Sequence, residues 1–239
     1  MILDSHVHCG LTQKFDIIKK EWEKAGIDGG VLFSPVEEIY DRYNSNFFDS
    51  NKYKSLRENV HNYLKNIAKN EKNIFVFYFV WNDFKLPDKI FKGIKWHRHS
   101  NEPEYDYRSE KCQHFIKFIC ENNLPVILEE EFLNTIKFIE MINKRTIIII
   151  PHLGFLNGGY SKLKAEGIFN EQNIYVDTAL ASIDEIEDYA KNFDINKLLF
   201  GSDYPFGSPY YELLKIKNLF SKKEIQRIAS ENLLTILPS

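Results

Sequence analysis

Short apolar runs alternate along the chain with longer stretches in which apolar residues recur every three or four positions. Residues 2–8 read as a strand. Over residues 11–25, Phe15, Ile18 and Trp22 stand among lysines and glutamates at helical spacing, and Gly26 closes the helix. Residues 29–34 form a second strand, stopped by Pro35. Residues 56–70 are helical, with Val60, Leu64, Ile67 and Ala68 on one face. Residues 74–81 are almost continuously apolar, as expected of a strand covered on both faces. A short helical connector around residues 87–92 leads to a fourth strand over 93–97. The same reading places a helix at 110–122, a strand at 124–129 and a helix at 132–143. It continues with a strand at 146–150, a helix at 160–169, a strand at 173–178, a helix at 183–192 and a strand at 197–201. Helical patterns follow from residue 210.

Eight strands alternating with helices imply a parallel sheet, and eight units in 239 residues fit one closed, distorted (β/α)8 TIM barrel in a single domain spanning residues 1–239. A doubly wound open sheet is the alternative. It is disfavoured because His6-Val7-His8-Cys9-Gly10 stands where a glycine-rich dinucleotide turn would follow the first strand. Residues 36–53 mix acids, asparagines and aromatics and read as a lid or a surface excursion.

Composition narrows the function classes. Hydrophobic residues make up 44%, enough for a sizeable core, and the formal net charge is −3 with both signs interspersed. Neither nucleic acid nor a membrane surface is an expected partner. The three cysteines form no paired motif, no apolar run approaches the ~20 residues of a membrane span, and no charged leader precedes the first strand. A cytoplasmic protein acting on a small molecule is the expectation, and a homodimer is left open.

In such a barrel the chemistry collects at the C-terminal ends of the strands. Strand one ends in His6 and His8, which share a face and form half a metal site by geometry. Strand four ends in Lys95, His97 and His99. Strand five ends in Glu129-Glu130-Glu131, strand six in His152 and strand eight in Asp203. Each has a plain alternative. His152 can hold a carbonyl, Asp203 can form a turn or cap a helix, and Lys95 can be a buried ion-paired residue. A run of three glutamates is usually a solvated junction, and by that measure only one needs a role. Gly201 leaves room beside Asp203. Asp4 shares the inward face of His6 and His8 by strict alternation, either backing an imidazole or pairing near the barrel floor. Arg98, Arg108 and Arg42 could hold a substrate carboxylate or phosphate.

These blocks together resemble the amidohydrolase superfamily, in its amidohydrolase-related (amidohydrolase 2) branch. Asp4-Ser5-His6-Val7-His8 resembles its opening HxH. Residues 93–97 (GIKWH), 151–154 (PHLG) and 201–205 (GSDYP) resemble later blocks in the same order, and residues 228–234 resemble its C-terminal helix with a Glu-Asn pair. The resemblance covers essentially the whole chain. It implies one or two divalent ions, zinc first, with manganese or iron as alternatives. His6 and His8 are implied ligands and Asp203 completes the set. His152 orients the water or ligates. The branch usually has histidine where Glu129 stands, so Glu129 is expected as a harder ligand. Lys95, His97 and Arg98 are expected at the substrate, and in some relatives a strand-four lysine is carboxylated. The implied activity is a metal-dependent hydrolase of a C–N (amide or cyclic amide) or ester/lactone bond. The alternatives are a metal-dependent decarboxylase (a lyase) of an aromatic or muconate-type acid, and a catalytically silent barrel used for binding.

Overall fold

The computed structural model describes residues 1–44 and 46–238. Eight strands, β1 (Leu3–His8), β2 (Gly29–Phe33), β3 (Ile74–Phe79), β4 (Phe91–Arg98), β5 (Val126–Glu130), β6 (Ile148–Ile150), β7 (Ile174–Asp177) and β8 (Leu198–Leu199), pair in chain order, each parallel to the next. The ring closes from the end of the chain back to β1. Ser5 N–H donates to the Phe200 carbonyl at 2.8 Å, His8 N–H to Tyr204 at 2.9 Å, and Asp203 N–H to His6 at 2.8 Å. The architecture is therefore the expected (β/α)8 barrel.

The helices α1 (Phe15–Ala25), α2 (Asn51–Asn70), α3 (Glu110–Glu121), α4 (Phe132–Ile142), α5 (Tyr160–Ala165), α6 (Ile183–Asn192) and α7 (Pro209–Leu219) form the outer layer. Their apolar stripes face the sheet; Phe15, Ile18, Trp22 and Ala25 are the buried residues of α1. No helix forms between β3 and β4, because the connection is short, Pro87 restricts Leu86 to extended backbone, and β4 already begins at Phe91. Aromatic residues cover that part of the wall instead. Trp96 is fully buried, with ring centroids 4.4 Å from Tyr105 and 4.8 Å from Phe138. Among its described residues, the excursion over 36–53 holds one short 3-10 helix, Val36–Glu38, before α2 begins at Asn51. Ser45, within it, lies outside the described residues.

Inside the barrel the floor is apolar. Leu3, Val31, Phe33, Phe77, Ile127, Ile149 and Leu199 form one cluster, closed from below by Leu233 and Ile236 of the C-terminal helix Asn232–Ile236. Ionisable side chains occupy the level above this floor. No helix among the described residues is long and apolar enough to cross a membrane.

One irregularity sets the phase of β1. Leu3 and Asp4 pair with Gly29 and Gly30, yet Val7 and His8 pair with Leu32 and Phe33, so β1 carries one extra residue between the two pairs. This β-bulge lets Leu3 point into the floor while His6 and His8 still point into the barrel above it. The same bulge turns Asp4 outward, correcting the expectation from strict alternation.

Candidate metal centre

Outward-turned Asp4 is a structural anchor. Its carboxylate accepts hydrogen bonds from His6 N–H (3.2 Å), Ser202 N–H (2.8 Å), Ser202 Oγ (2.6 Å) and Trp22 Nε1 (3.1 Å). It thus ties β1, α1 and the loop after β8 together directly below the metal-ligand candidates. Burial pushes this carboxyl up to about 7, against those four donors. An asparagine would offer one acceptor oxygen and turn an NH2 toward donors. Asp4→Asn should therefore lower unfolding free energy by about 1–3 kcal/mol, seen as a lower urea midpoint with unchanged slope.

The strand ends above deliver the side chains named from the sequence. His6, His8 and Asp203 converge: Asp203 Oδ1 lies 3.2 Å from His8 Nε2 and 3.4 Å from His6 Nε2. Gly201 makes the space, since a Cβ there would lie 3.1 Å from His6 Cβ. Asp203 itself has φ 53°, a left-handed conformation that aspartate tolerates. Its buried Oδ1 has no aligned hydrogen-bond donor, although two imidazole nitrogens point at it. An orphaned carboxylate oxygen facing two nitrogens is the donor set a divalent ion takes, and the three donor atoms lie within 4.8 Å of one another. The residues present thus fit a metal.

Electrostatics favour the ligating forms. Burial and the charge of Lys95 hold the His6 imidazole down at about 4, so it is neutral at physiological pH. Burial works to raise the Asp203 carboxyl, but the facing imidazoles of His8, His6 and His152 outweigh it and hold it at about 2.

Sequence reasoning missed Asp177, at the end of β7. Its Oδ2 accepts from His6 Nδ1 at 2.8 Å, and its Oδ1 accepts from the backbone N–H groups of His152 (2.9 Å) and Ala179 (3.1 Å). Burial acts to raise Asp177, but the His6 imidazole bound to it, with the His152 side chain and N–H, keeps it below the usual carboxylate range. The bond fixes the proton of His6 on Nδ1 and leaves Nε2 free to ligate. The available signal was an aspartate ending the run Ile174-Tyr175-Val176, two positions beyond inward-facing Tyr175.

His152 and Leu153 follow β6 in left-handed backbone, φ 57° and 48°. His152 Nδ1 donates to the Ala179 carbonyl at 3.0 Å, and its Nε2 faces Glu129 Oε2 at 3.8 Å and Asp203 Oδ2 at 4.0 Å. Burial opposes its protonation, but the facing Glu129 carboxylate and the charges of Asp177 and Asp203 raise it to about 9. At neutral pH it is an imidazolium, suited to donating a proton.

The three glutamates separate cleanly. Glu129 points inward. Glu130 points outward to Tyr107 Oη (2.7 Å), Trp96 Nε1 (3.2 Å) and Asn134 Nδ2 (3.2 Å), while Glu131 accepts from Ser100 N–H at 3.1 Å. Glu129 Oε2 is bound by Lys95 Nζ at 2.5 Å, and that Nζ is 3.4 Å from His6 Nε2 and 4.7 Å from the centre of the Phe33 ring. Lys95, fully buried, therefore puts a cation among His6, Glu129 and His152, whose donor atoms also cluster within 4.8 Å.

Arg98, expected at the substrate, is turned away from the candidate centre. Alternation along β4 turns it away from inward-facing His97, and its guanidinium is consumed by the carbonyls of Pro103 (2.6 Å) and His97 (2.5 Å) and by Asn82 Oδ1 (2.9 Å). The rings of Tyr40 and Tyr105 stack on it at 4.3 and 3.9 Å. It is a wall residue.

His8 borders a cleft of about 180 Å³ lined also by Thr12, Gln13, Pro35, Val36, Glu37, Pro205 and Phe206. A larger cleft of about 460 Å³ lies between α2 and residues 83–91, but its rim charges are paired as Lys65–Asp88 and Lys85–Glu58.

No family model and no curated protein matches the sequence. Solved structures do match. A 2,6-dihydroxybenzoate decarboxylase from Rhizobium superposes with a TM-score of 0.73 at 12% identity, covering 98% of this chain and 97% of that one. Amidohydrolase 2 from Bifidobacterium longum subsp. infantis gives a TM-score of 0.67 at 16% identity, with 98% and 97% covered. A dihydroxybenzoic acid decarboxylase from Polaromonas sp. JS666, with bound manganese and 2-nitroresorcinol, gives 0.67 at 14%, with 93% and 85% covered. The chain has the barrel fold of these amidohydrolase and decarboxylase structures, the fold its sequence motifs imply.

Proposed function

We propose that this chain is a metal-dependent hydrolase of the amidohydrolase superfamily, acting on a C–N or ester/lactone bond in a small molecule. The observation that carries the reading is the convergence of His6 Nε2, His8 Nε2 and the orphaned Asp203 Oδ1 in a buried pocket at the strand ends. His6, His8 and Asp203 would hold one divalent ion, zinc or manganese. Such an ion, when bound, lowers the pKa of water from ~15.7 to about 7.

The remaining chemistry belongs to side chains. Asp203 accepts the proton of the attacking water and passes it to the leaving group, help worth roughly 10²–10⁴-fold. His152, an imidazolium across the pocket, donates to the oxygen on which charge develops. Burial works to raise the Glu129 carboxyl, but His97 and Lys95 hold it well below the usual range, and Lys95 adds positive potential below the reacting carbonyl. Buried above the apolar floor, over the Phe33 ring, Lys95 contributes charge more than direct substrate contact. The cleft of about 180 Å³ beside His8 and Phe206 has room for a small molecule.

A decarboxylase is the second reading, favoured by the fold likeness to two hydroxybenzoate decarboxylases. The protein loaded with manganese or zinc should be tested on lactones, cyclic amides and hydroxybenzoates in ¹⁸O-water. Label in the product without CO2 supports the hydrolase. CO2 release without label replaces it by the lyase. Failure to retain either metal points to a barrel that only binds.

A further inference from the structure

A second group of donors lies on the far side of Lys95. His97 and His99 repeat on β4 the spacing of His6 and His8 on β1, and their ring centroids are 4.4 Å apart. Glu129 Oε1, the oxygen not bound by Lys95, is 3.0 Å from His97 Nδ1 and 2.7 Å from His99 Nε2. His97 is 3% exposed, and neither of its ring nitrogens has an aligned hydrogen bond, although Nδ1 is aimed at Glu129. A buried imidazole left without a bond costs free energy unless something completes it.

The group copies the logic of the first centre. There, Asp177 backs His6 on the nitrogen opposite the ligating one. Here, Glu102 Oε2 stands behind His97 Nε2 at 3.5 Å, leaving Nδ1 to face inward. Burial opposes ionisation of Glu102, but the facing His97 imidazole, Tyr40 Oη and the His99 N–H outweigh it and hold the carboxyl at about 2. It is itself fixed by Tyr40 Oη at 2.5 Å, His99 N–H at 2.9 Å and Arg42 Nε at 3.1 Å. A carboxylate behind a histidine is the usual way a ligating imidazole is oriented. Burial keeps the His97 imidazole below its ordinary value, and the donors of His97, His99 and Glu129 lie within 4.8 Å of one another.

We propose that His97 Nδ1, His99 Nε2 and Glu129 Oε1 form a second divalent-cation site, distinct from the His6–His8–Asp203 centre and separated from it by Lys95. Two imidazoles and one carboxylate suit zinc or manganese and leave a position open for water or substrate. The second ion would lie beside the first pocket, where it could anchor an oxygen of the same small molecule. Glu129 then belongs to the second ion through Oε1 and to Lys95 through Oε2.

The test is metal stoichiometry. Stripped wild-type protein, His99→Ala and His8→Ala are each titrated with manganese chloride, and bound metal is read by elemental analysis and by Mn(II) EPR. The wild type should bind two ions per chain and show magnetic coupling between them. His99→Ala and His8→Ala should each bind one, uncoupled. His99 is partly exposed, so its loss should spare folding; His99→Gln serves as the second variant. If both His99 variants bind as much metal as wild type, the site is rejected, while the loss of one ion in His8→Ala leaves the first centre standing. If only the His99 variants lose metal, the second site stands and the reading of His6 and His8 fails.

Discussion

Asp203→Asn is expected to abolish metal-dependent turnover, lowering kcat by at least about 10²–10⁴-fold, the range that general-base help supplies. The substitution is a clean probe. Asparagine tolerates the left-handed backbone of residue 203, so the N–H bond to the His6 carbonyl at 2.8 Å should persist. What changes is charge. The orphaned Oδ1 between His8 and His6 loses its anionic character or is replaced by an NH2 that cannot ligate, and no group remains to take the proton of water. Metal content should fall together with rate, while the thermal melt of the metal-free protein stays close to wild type. His8→Ala should behave alike, because its ring is held by edge contacts with Phe33 and Phe206 and supports no hydrogen-bond network. An unchanged rate and metal content in either variant rejects the centre.

Asp177→Asn should have the next largest effect, although Asp177 touches neither metal nor substrate in the proposed chemistry. The carboxylate fixes the proton of His6 on Nδ1 through its 2.8 Å bond. An amide NH2 at that place favours the other tautomer, with the proton on Nε2, which cannot ligate. Loss of such a backing carboxylate typically weakens metal binding by 10–100-fold, equivalent to about 1.4–2.7 kcal/mol. The Oδ1 bonds from the His152 and Ala179 N–H groups can survive on the amide oxygen, so the fold should hold. Titration of the stripped variant with zinc and a competing chelator measures the change. Wild-type affinity would mean that His6 is oriented by other contacts or is no ligand.

The barrel was legible because its strands are bounded by glycine, proline and polar breaks, and because apolar spacing changes from two to three or four between strands and helices. His6, His8, His152 and Asp203 were legible as candidates because they end strands, but which of the three glutamates points inward was not, and only the pleat of β5 in the folded sheet separates them. Asp177 was not, since a single aspartate after Ile-Tyr-Val reads equally as a turn former. Its role appears only when β7 is placed two strands from β1 across the closing seam. The outward Asp4 was hidden by the bulge, which no local pattern of apolar residues reveals. Arg98 was misplaced through its neighbours: two histidines around an arginine suggest a charged site, whereas the pleat sends the middle residue to the wall. The link between Lys95 and Glu129 depends on the β4–β5 register, in which His97 lies beside Glu129.

The bulge in β1 has a consequence for how this barrel can change. It uncouples the floor from the chemistry, because Leu3 keeps its inward place whatever the two histidines do. With an unbroken strand, any shift that improved packing below would rotate both imidazoles out of the pocket above. The extra residue acts as a phase joint, and mutations in the apolar floor can accumulate without misaiming the ligands.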